Sequence, residues 1–305
     1  MPNTLLCRMP DVKPKSAVVI RDLTSFEDLK KVEVLEKEVW GLEDRDVLPL
    51  TITVATWAAG SIWLGAFDGP ELVGFAFGFP GLENGHVMLH SHMLAVKEEY
   101  RDRDLGYKLK VAQRERALAM RIREMTWTFD PLQSRNAHLN FSKLGVISNS
   151  YRIDFYGPET SSVLHRNSTD RLWVKWPLAS RRVQLRLQGS NSRAETLDAL
   201  SRLLPLIRFN GDGRPSRTDL ADALGRQRIA IELPSDIGAV ESKDPELARE
   251  WRLATRWAFT ESLKAGFFVA EFCGTIRGHQ GPSAYLLEKG PMEEYVPELA
   301  YEKKT

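Results

Sequence analysis

The chain has 305 residues, 43% hydrophobic and 27% charged, with a formal net charge of +1. That balance belongs to a soluble globular protein long enough for one large domain or two ordinary ones, and near-neutrality gives no electrostatic case for nucleic acid or an anionic membrane. Cys7 and Cys273 are the only cysteines, too few for a disulfide scaffold or a cysteine zinc site.

Residues 1–16 read as a flexible tail without an apolar core long enough for a signal peptide, so the expected location is the cytoplasm. Val18 to Ile20 starts a first strand. Ser25 with Asp28 forms a capping-box pattern, and Leu29, Val32, Leu35 and Val39 then give a helical stripe that Gly41 ends. Pro49 opens a second helix, which stops at Gly60. Val47 to Phe67 carries no charge, but Pro49, Gly60 and Ser61 interrupt it, so it reads as helix then strand rather than a membrane span. Ile62–Phe67 and Leu72–Phe79 read as a hairpin around Asp68-Gly69-Pro70.

Val87 to Val96 reads as a central strand. It runs through a short charged turn into a helix marked by Leu105, Leu109 and Ala112, with Val111, Leu118 and Ile122 also at helical spacing. A strand, a basic turn and a helix N-terminus form a place for a phosphate, because the first amides of a helix have no partner inside it and the dipole is positive there. Met125–Phe129 is a fifth strand, and Ser134–Val146 a further helix. This order predicts an α/β or α+β fold, a sheet covered by helices.

Arg103, Gly106 and Lys108 form R-x-x-G-x-K, which resembles the pyrophosphate loop Q/R-x-x-G-x-G/A of the GNAT superfamily of acyl-CoA N-acyltransferases. SRNAHLNFSKLGV (residues 134–146) is similar to that superfamily's segment N-x-x-A-x-x-x-Y-x-K-x-G-F, with Ala137, Lys143 and Gly145 aligned and Phe141 at the usual tyrosine. LHSHMLAV, WTFDPLQSRNAHLNFSKLG and IDFYG resemble a bacterial subfamily of longer chains with a C-terminal extension, some linked by genomic context to N-acylamino-acid metabolism. The resemblance implies a GNAT-like domain over 17–178, with a mostly antiparallel mixed sheet flanked by helices. By composition, the basic run 179–193, which ends rich in Gly, Ser and Asn, reads as a linker, and strand–helix–strand signals after it read as a smaller α/β extension over 194–305. The resemblance also implies acetyl-CoA or another acyl-CoA as co-substrate and no metal. The cofactor contacts it places here are Leu94, Val96, Arg101, Arg103, Asp104, Leu105, Gly106, Tyr107, Lys108, Asn136 and Phe141.

Transfer of an acyl group to an amine needs a proton acceptor, an oxyanion donor and a proton donor for the thiolate. His90 and His92, two apart on the central strand, face one way and offer neutral imidazoles near pH 7, or they pack and bond to backbone. Asp130 ends the fifth strand, where it binds or activates an ammonium group or else caps the turn before Pro131. Phe141 cannot donate a proton, so either the thiolate leaves unassisted, as its low basicity allows, or another group serves, with Tyr151 and Tyr156 as candidates.

The leading expectation is transfer of an acetyl or other small acyl group, such as succinyl, to a small-molecule amine or amino acid. It would proceed directly in a ternary complex, with a homodimer as the assembly and no nucleic acid or membrane partner. The rivals are an acyl-CoA-binding module without turnover, and a metal-dependent hydrolase built on His86, His90, His92 and Asp130. The C-terminal part carries no motif that ties it to chemistry. It would close the acceptor pocket or form a dimer interface.

Overall fold

The computed structural model describes residues 17–83, 85–101, 103–157, 167–190, 193–276 and 282–300. The expected tail and Cys7 lie outside the described residues. Among those described, a 12-stranded sheet runs through the molecule in the order β1-β2-β3-β4-β5-β7-β6-β11-β12-β10-β8-β9. Its first half consists of β1 (Val19–Asp22), β2 (Ile62–Asp68), β3 (Glu71–Glu83), β4 (His86–Val96), β5 (Glu124–Phe129), β6 (Ile147–Arg152) and β7 (Arg171–Pro177). The second half is β8 (Pro205–Phe209), β9 (Pro215–Arg217), β10 (Arg228–Leu233), β11 (Phe267–Cys273) and β12 (Ser283–Lys289). The expected mixed, largely antiparallel sheet is therefore present.

Helices α1 (Phe26–Trp40) and α2 (Leu50–Ala58) precede the first hairpin. Ser25 caps α1 by accepting from the Asp28 amide, and Gly41 ends it in the left-handed region at φ 63°. α1 seals one sheet face, where Leu29, Val32 and Leu35 meet Trp63, Phe75 and Phe77. α3 (Leu105–Ala119) and α4 (Ser134–Ala137) bury their apolar sides in a second core with Leu89, Met125, Trp127 and Trp176. α4 runs on without a break into a π-helical stretch, His138–Leu144. Such wide turns often mark functional sites.

The order β4-β5-β7-β6 reappears reversed as β11-β12-β10-β8. In both sets the first pair in chain order is parallel and the other two are antiparallel. β6 and β11 join the sets through the antiparallel pair Ser148 and Val269. The second set is threaded by α7 (Leu220–Leu224), α8 (Ile237–Lys243) and α9 (Pro245–Lys264). Half of the first topology is thus repeated in the C-terminal part, with no repeat visible in the residues.

The core continues across the two parts, since Leu89 and Phe141 share one cluster with Leu206, Trp251, Phe259 and Tyr285. Residues 179–193, expected as a linker, instead hold α5 (Arg181–Leu187). Its Arg182 donates to the carbonyls of Gly145 and Ala270, and Arg186 pairs with Glu271. The basic run is therefore a clamp between the halves. Residues 196–207 divide into the end of α6 (Arg193–Ser201) and the start of β8. α10 (Met292–Tyr295) follows the last strand and adds Met292 to a small cluster with Ile147 and Phe268.

Candidate active site

β4 and β5 are registered only at Leu89–Met125 and His90–Thr126. Beyond His90 they part, while β4 stays paired to β3 as far as Val96. The register against β3 skips at His92: Ser91 opposes Gly78 and Met93 opposes Phe77, so His92 is a bulge residue. The Lys97 amide donates to Val73 on β3, and antiparallel alternation then turns the amides of Leu94 and Val96 toward the open edge. A cleft of about 200 Å³ fills the gap, lined among others by Ser91, His92, Leu94, Lys110, Trp127 and Asn136.

The start of α3 packs against Leu94, one of the residues that line the cleft. Its N-cap is Asp104, whose φ of 55° lies in the left-handed region where glycine is preferred. Gly106 has no positive φ, and a Cβ there would meet only the Leu94 side chain at 3.5 Å. The position that needs backbone freedom is therefore Asp104. Moving the pyrophosphate motif two residues toward the N-terminus puts Arg101 at its first position, Asp104 at its first glycine and Gly106 at its last. Asp104 brings a carboxylate to the helix start, where Lys143 pairs with it at 2.5 Å and holds its pKa below the usual range. Arg103 lies over the Tyr100 ring. Arg101, Arg103 and Lys108 leave the turn cationic despite Asp104, and the open helix amides suit a diphosphate.

The cleft's inner end is polar on both sheet faces. On one face, His90 shares a hydrogen bond with Thr126 (Nδ1 to Oγ1, 3.1 Å) and stacks on Trp173 at 4.9 Å. His92 stands beside it, both rings touching Phe79. Burial, then the nearby His92 and Lys110, pushes the His90 pKa down to about 4. His92 opens onto the cleft, yet the walls around it still desolvate the ring and lower its pKa. Thr128, on the same side of β5, shares a hydrogen bond with the half-exposed Tyr156.

On the opposite face Lys110 projects from α3 to the point where the strands part, 4% exposed. It donates to Ser91 Oγ at 2.7 Å, and Ser91 in turn donates to Gln113 Oε1 at 2.7 Å. Its ammonium group sits 3.7 Å from the Trp127 ring centre. Trp127 Nε1 donates to Asn140 in the π-helical stretch. Gly78 makes the close approach of α3 possible, since a Cβ there would stand 2.8 Å from Gln113 Nε2. Burial without an ion-pair partner among the described residues pushes Lys110 down to about 7.

The expected site residues divide between cleft and scaffold. His92, Leu94 and Asn136 line the cleft, and His90 adjoins it. Asp130 does not line it: both carboxylate oxygens accept from Arg252 of α9, and Oδ1 also accepts from the Leu132 amide, as a turn former would. Tyr151 donates to Asp170 at 2.6 Å and stacks on Phe259, so its hydroxyl faces a buried ion-pair network. Phe141 is fully buried against Phe129 and Tyr285, away from the cofactor contact expected of it. Ser91, Lys110 and Asn140 were not among the expected residues. The missed signal is Lys110, Gln113 and Ala117 at spacings of three and four, a lysine on the buried stripe of α3. No group of three or more His, Cys, Asp or Glu among the described residues is arranged to hold a metal ion. Among the same residues no helix is long and apolar enough to cross a membrane.

No protein-family model matches the chain, and no curated protein matches it. Solved structures do. The ribosomal-protein-S18-alanine N-acetyltransferase of Escherichia coli is 14% identical, covering 53% of this chain and 94% of its own, with a TM-score of 0.43. Naa20 of Chaetomium thermophilum, solved with a bisubstrate analogue, is 17% identical over 52% of this chain and 86% of its own, with a TM-score of 0.44. An aminoglycoside 6'-acetyltransferase type Ii is 17% identical over 53% of this chain and 99% of its own, with a TM-score of 0.43.

Proposed function

We propose that the chain is an acyl-CoA-dependent N-acyltransferase that moves an acetyl or succinyl group directly to the amine of a small molecule such as an amino acid. The observation that carries this reading is the open edge of β4 beyond His90, facing a cleft lined by Leu94, against which the first turn of α3 packs. The pantetheine arm would add a strand-like partner to the Leu94 and Val96 amides. The diphosphate would lie at the first amides of α3, with Arg101, Arg103 and Lys108 around it. A cleft-facing strand amide near the bulge would hold the carbonyl oxygen as negative charge develops on it.

The acceptor amine enters from the face bearing His90 and His92. His92 is the proton acceptor in this scheme, because it faces the cleft and is neutral near pH 7. His90 is too weak a base at about 4 and serves to position His92 and the Thr126 wall. Asp130, Tyr151 and Phe141 have no part in the chemistry. Two reactants held at the parted strands need no metal, since positioning supplies much of the rate.

A thermal-shift series with CoA, acetyl-CoA and succinyl-CoA, followed by thiol release with a panel of free amino acids, tests the reading. Stabilisation by the CoA compounds and amine-dependent thiol release support it. Absence of both defeats it. The second reading, binding without turnover, draws on Asp104 in the phosphate turn and on Phe141 in place of a hydroxyl. Stabilisation without thiol release would favour that one.

A further inference from the structure

We propose that Lys110 is the catalytic proton donor to the departing CoA thiolate, held in place by Ser91 and Gln113. This rests on the function proposed above and deepens it by assigning the group that the hydroxyl-free Phe141 leaves open.

The placement is specific. Lys110 Nζ lies where β4 and β5 part, between Ser91 on one strand and Trp127 on the other, and all three line the cleft. A thioester threaded along Leu94 toward the acceptor face has to pass this point. The ring of Trp127 and one hydroxyl are the partners seen for the ammonium group, and no acidic side chain pairs with it among the described residues. A lysine purely for stability is seldom buried in this way, because the uncompensated charge is costly. Ser91 donates to Gln113, which leaves its lone pairs aimed at Lys110. That chain fixes the rotamer and holds one N–H, leaving the others for the cleft.

The chemistry balances. When the tetrahedral adduct collapses, the carbon–sulfur bond breaks and its electron pair stays on sulfur. A Lys110 N–H proton moves to sulfur, leaving the amine neutral. The attacking nitrogen sheds one proton to His92, and solvent restores the proton on Lys110. An ordinary lysine near pKa 10.4 would give a proton uphill to a thiolate near 8.5, whereas burial brings this one below the thiol and makes the transfer downhill. Of the titratable groups on the packed elements, His90 and His92 of β4 lie on the other sheet face, His90 near enough to feel its charge, and Lys143 of the π-helical stretch pairs with Asp104 at the start of α3. β5 lines the cleft with Trp127, Thr128 and Phe129, which do not titrate.

The test is kcat and KM against pH for thiol release from acetyl-CoA and succinyl-CoA with a panel of amino acids. It uses the full chain, Lys110→Met, Lys110→Arg and Ser91→Ala. Lys110→Met and Lys110→Arg should each lower kcat roughly 100-fold or more, with KM for the acyl-CoA nearly unchanged. The wild-type kcat should fall on the alkaline side as Lys110 loses its proton, and Lys110→Met should lack that fall. Ser91→Ala should lose a smaller factor in kcat and shift the alkaline limb. Wild-type turnover with a Lys110→Met kcat within about threefold and an unchanged profile overturns the proton-donor role while the transferase reading stands. An acylated Lys110 found by mass spectrometry during turnover also overturns it, in favour of a covalent step. If Lys110→Met does not fold, a wild-type kcat that stays flat through the alkaline range is the contradicting result. A wild-type protein that neither binds nor cleaves acyl-CoA overturns both readings.

Discussion

Arg252 closes both terminal guanidinium nitrogens on the carboxylate of Asp130, at 2.8 and 2.7 Å, and so ties the long helix of the C-terminal part to the end of β5. The pair is nearly buried, with side-chain exposures of 3% and 10%. Removing one partner of such a pair strands the other charge. Arg252→Leu should therefore cost roughly 3–5 kcal/mol in urea unfolding. A loss below about 1 kcal/mol would show that the pair is not a main strut between the halves.

The same buried lysine that lies at the cleft should weaken the fold at neutral pH. Burial lowers the Lys110 pKa to about 7, while the unfolded chain keeps its proton to about 10.4. Between those values the unfolded state binds more protons, so this residue's contribution to stability rises with pH. Lys110→Met should be more stable than the wild type by a few kcal/mol near pH 7, a gap that narrows toward about pH 10. Denaturant midpoints across that range check it. A gap independent of pH would mean that Lys110 stays charged in the fold.

The two histidines act at the acid end. Both have lowered pKa values, His90 to about 4, so the unfolded chain takes up protons first as pH falls below about 6.5. The contribution of each is present above that value; His90's is lost between about 6.5 and about 4, and His92's is lost as pH falls from about 6.5. His90→Phe should flatten the acid side of the stability curve over that window. An unaltered acid limb in thermal unfolding would contradict the lowered pKa.

At the helix start, Asp104 holds a left-handed conformation and a negative charge where a diphosphate is proposed to sit. Asp104→Gly removes the charge and suits the backbone. It should tighten CoA binding by roughly 1 kcal/mol, about fivefold, measured by calorimetry at low salt. Weaker binding would mean that the Asp104–Lys143 pair shapes the phosphate turn rather than opposing the ligand.

The first half of the fold was legible because its signals are local: the Ser25 cap, the Gly41 stop and the hairpin turn at Asp68-Gly69-Pro70 each follow from a few neighbouring residues. His92, Leu94 and Asn136, which line the cleft, are readable for the same reason, as strand and helix positions beside a turn. What could not be read was long-range. Nothing near Asp130 in the sequence announces Arg252, 122 residues away, and nothing near Phe141 announces Tyr285. The basic run around Arg182 and Arg186 looked like a solvated linker because Gly145, Ala270 and Glu271, which it holds, lie far off in the chain. The repeated half-sheet was hidden because topology can recur without shared residues.

A crystal structure of the full chain with CoA at a concentration well above its Kd tests the central claim most directly. It should show the diphosphate at the first amides of α3 beside Arg101 and Arg103, the pantetheine arm along Leu94 and Val96, and the thiol within reach of Lys110. CoA bound elsewhere, or β4 and β5 closed together beyond His90, would contradict it.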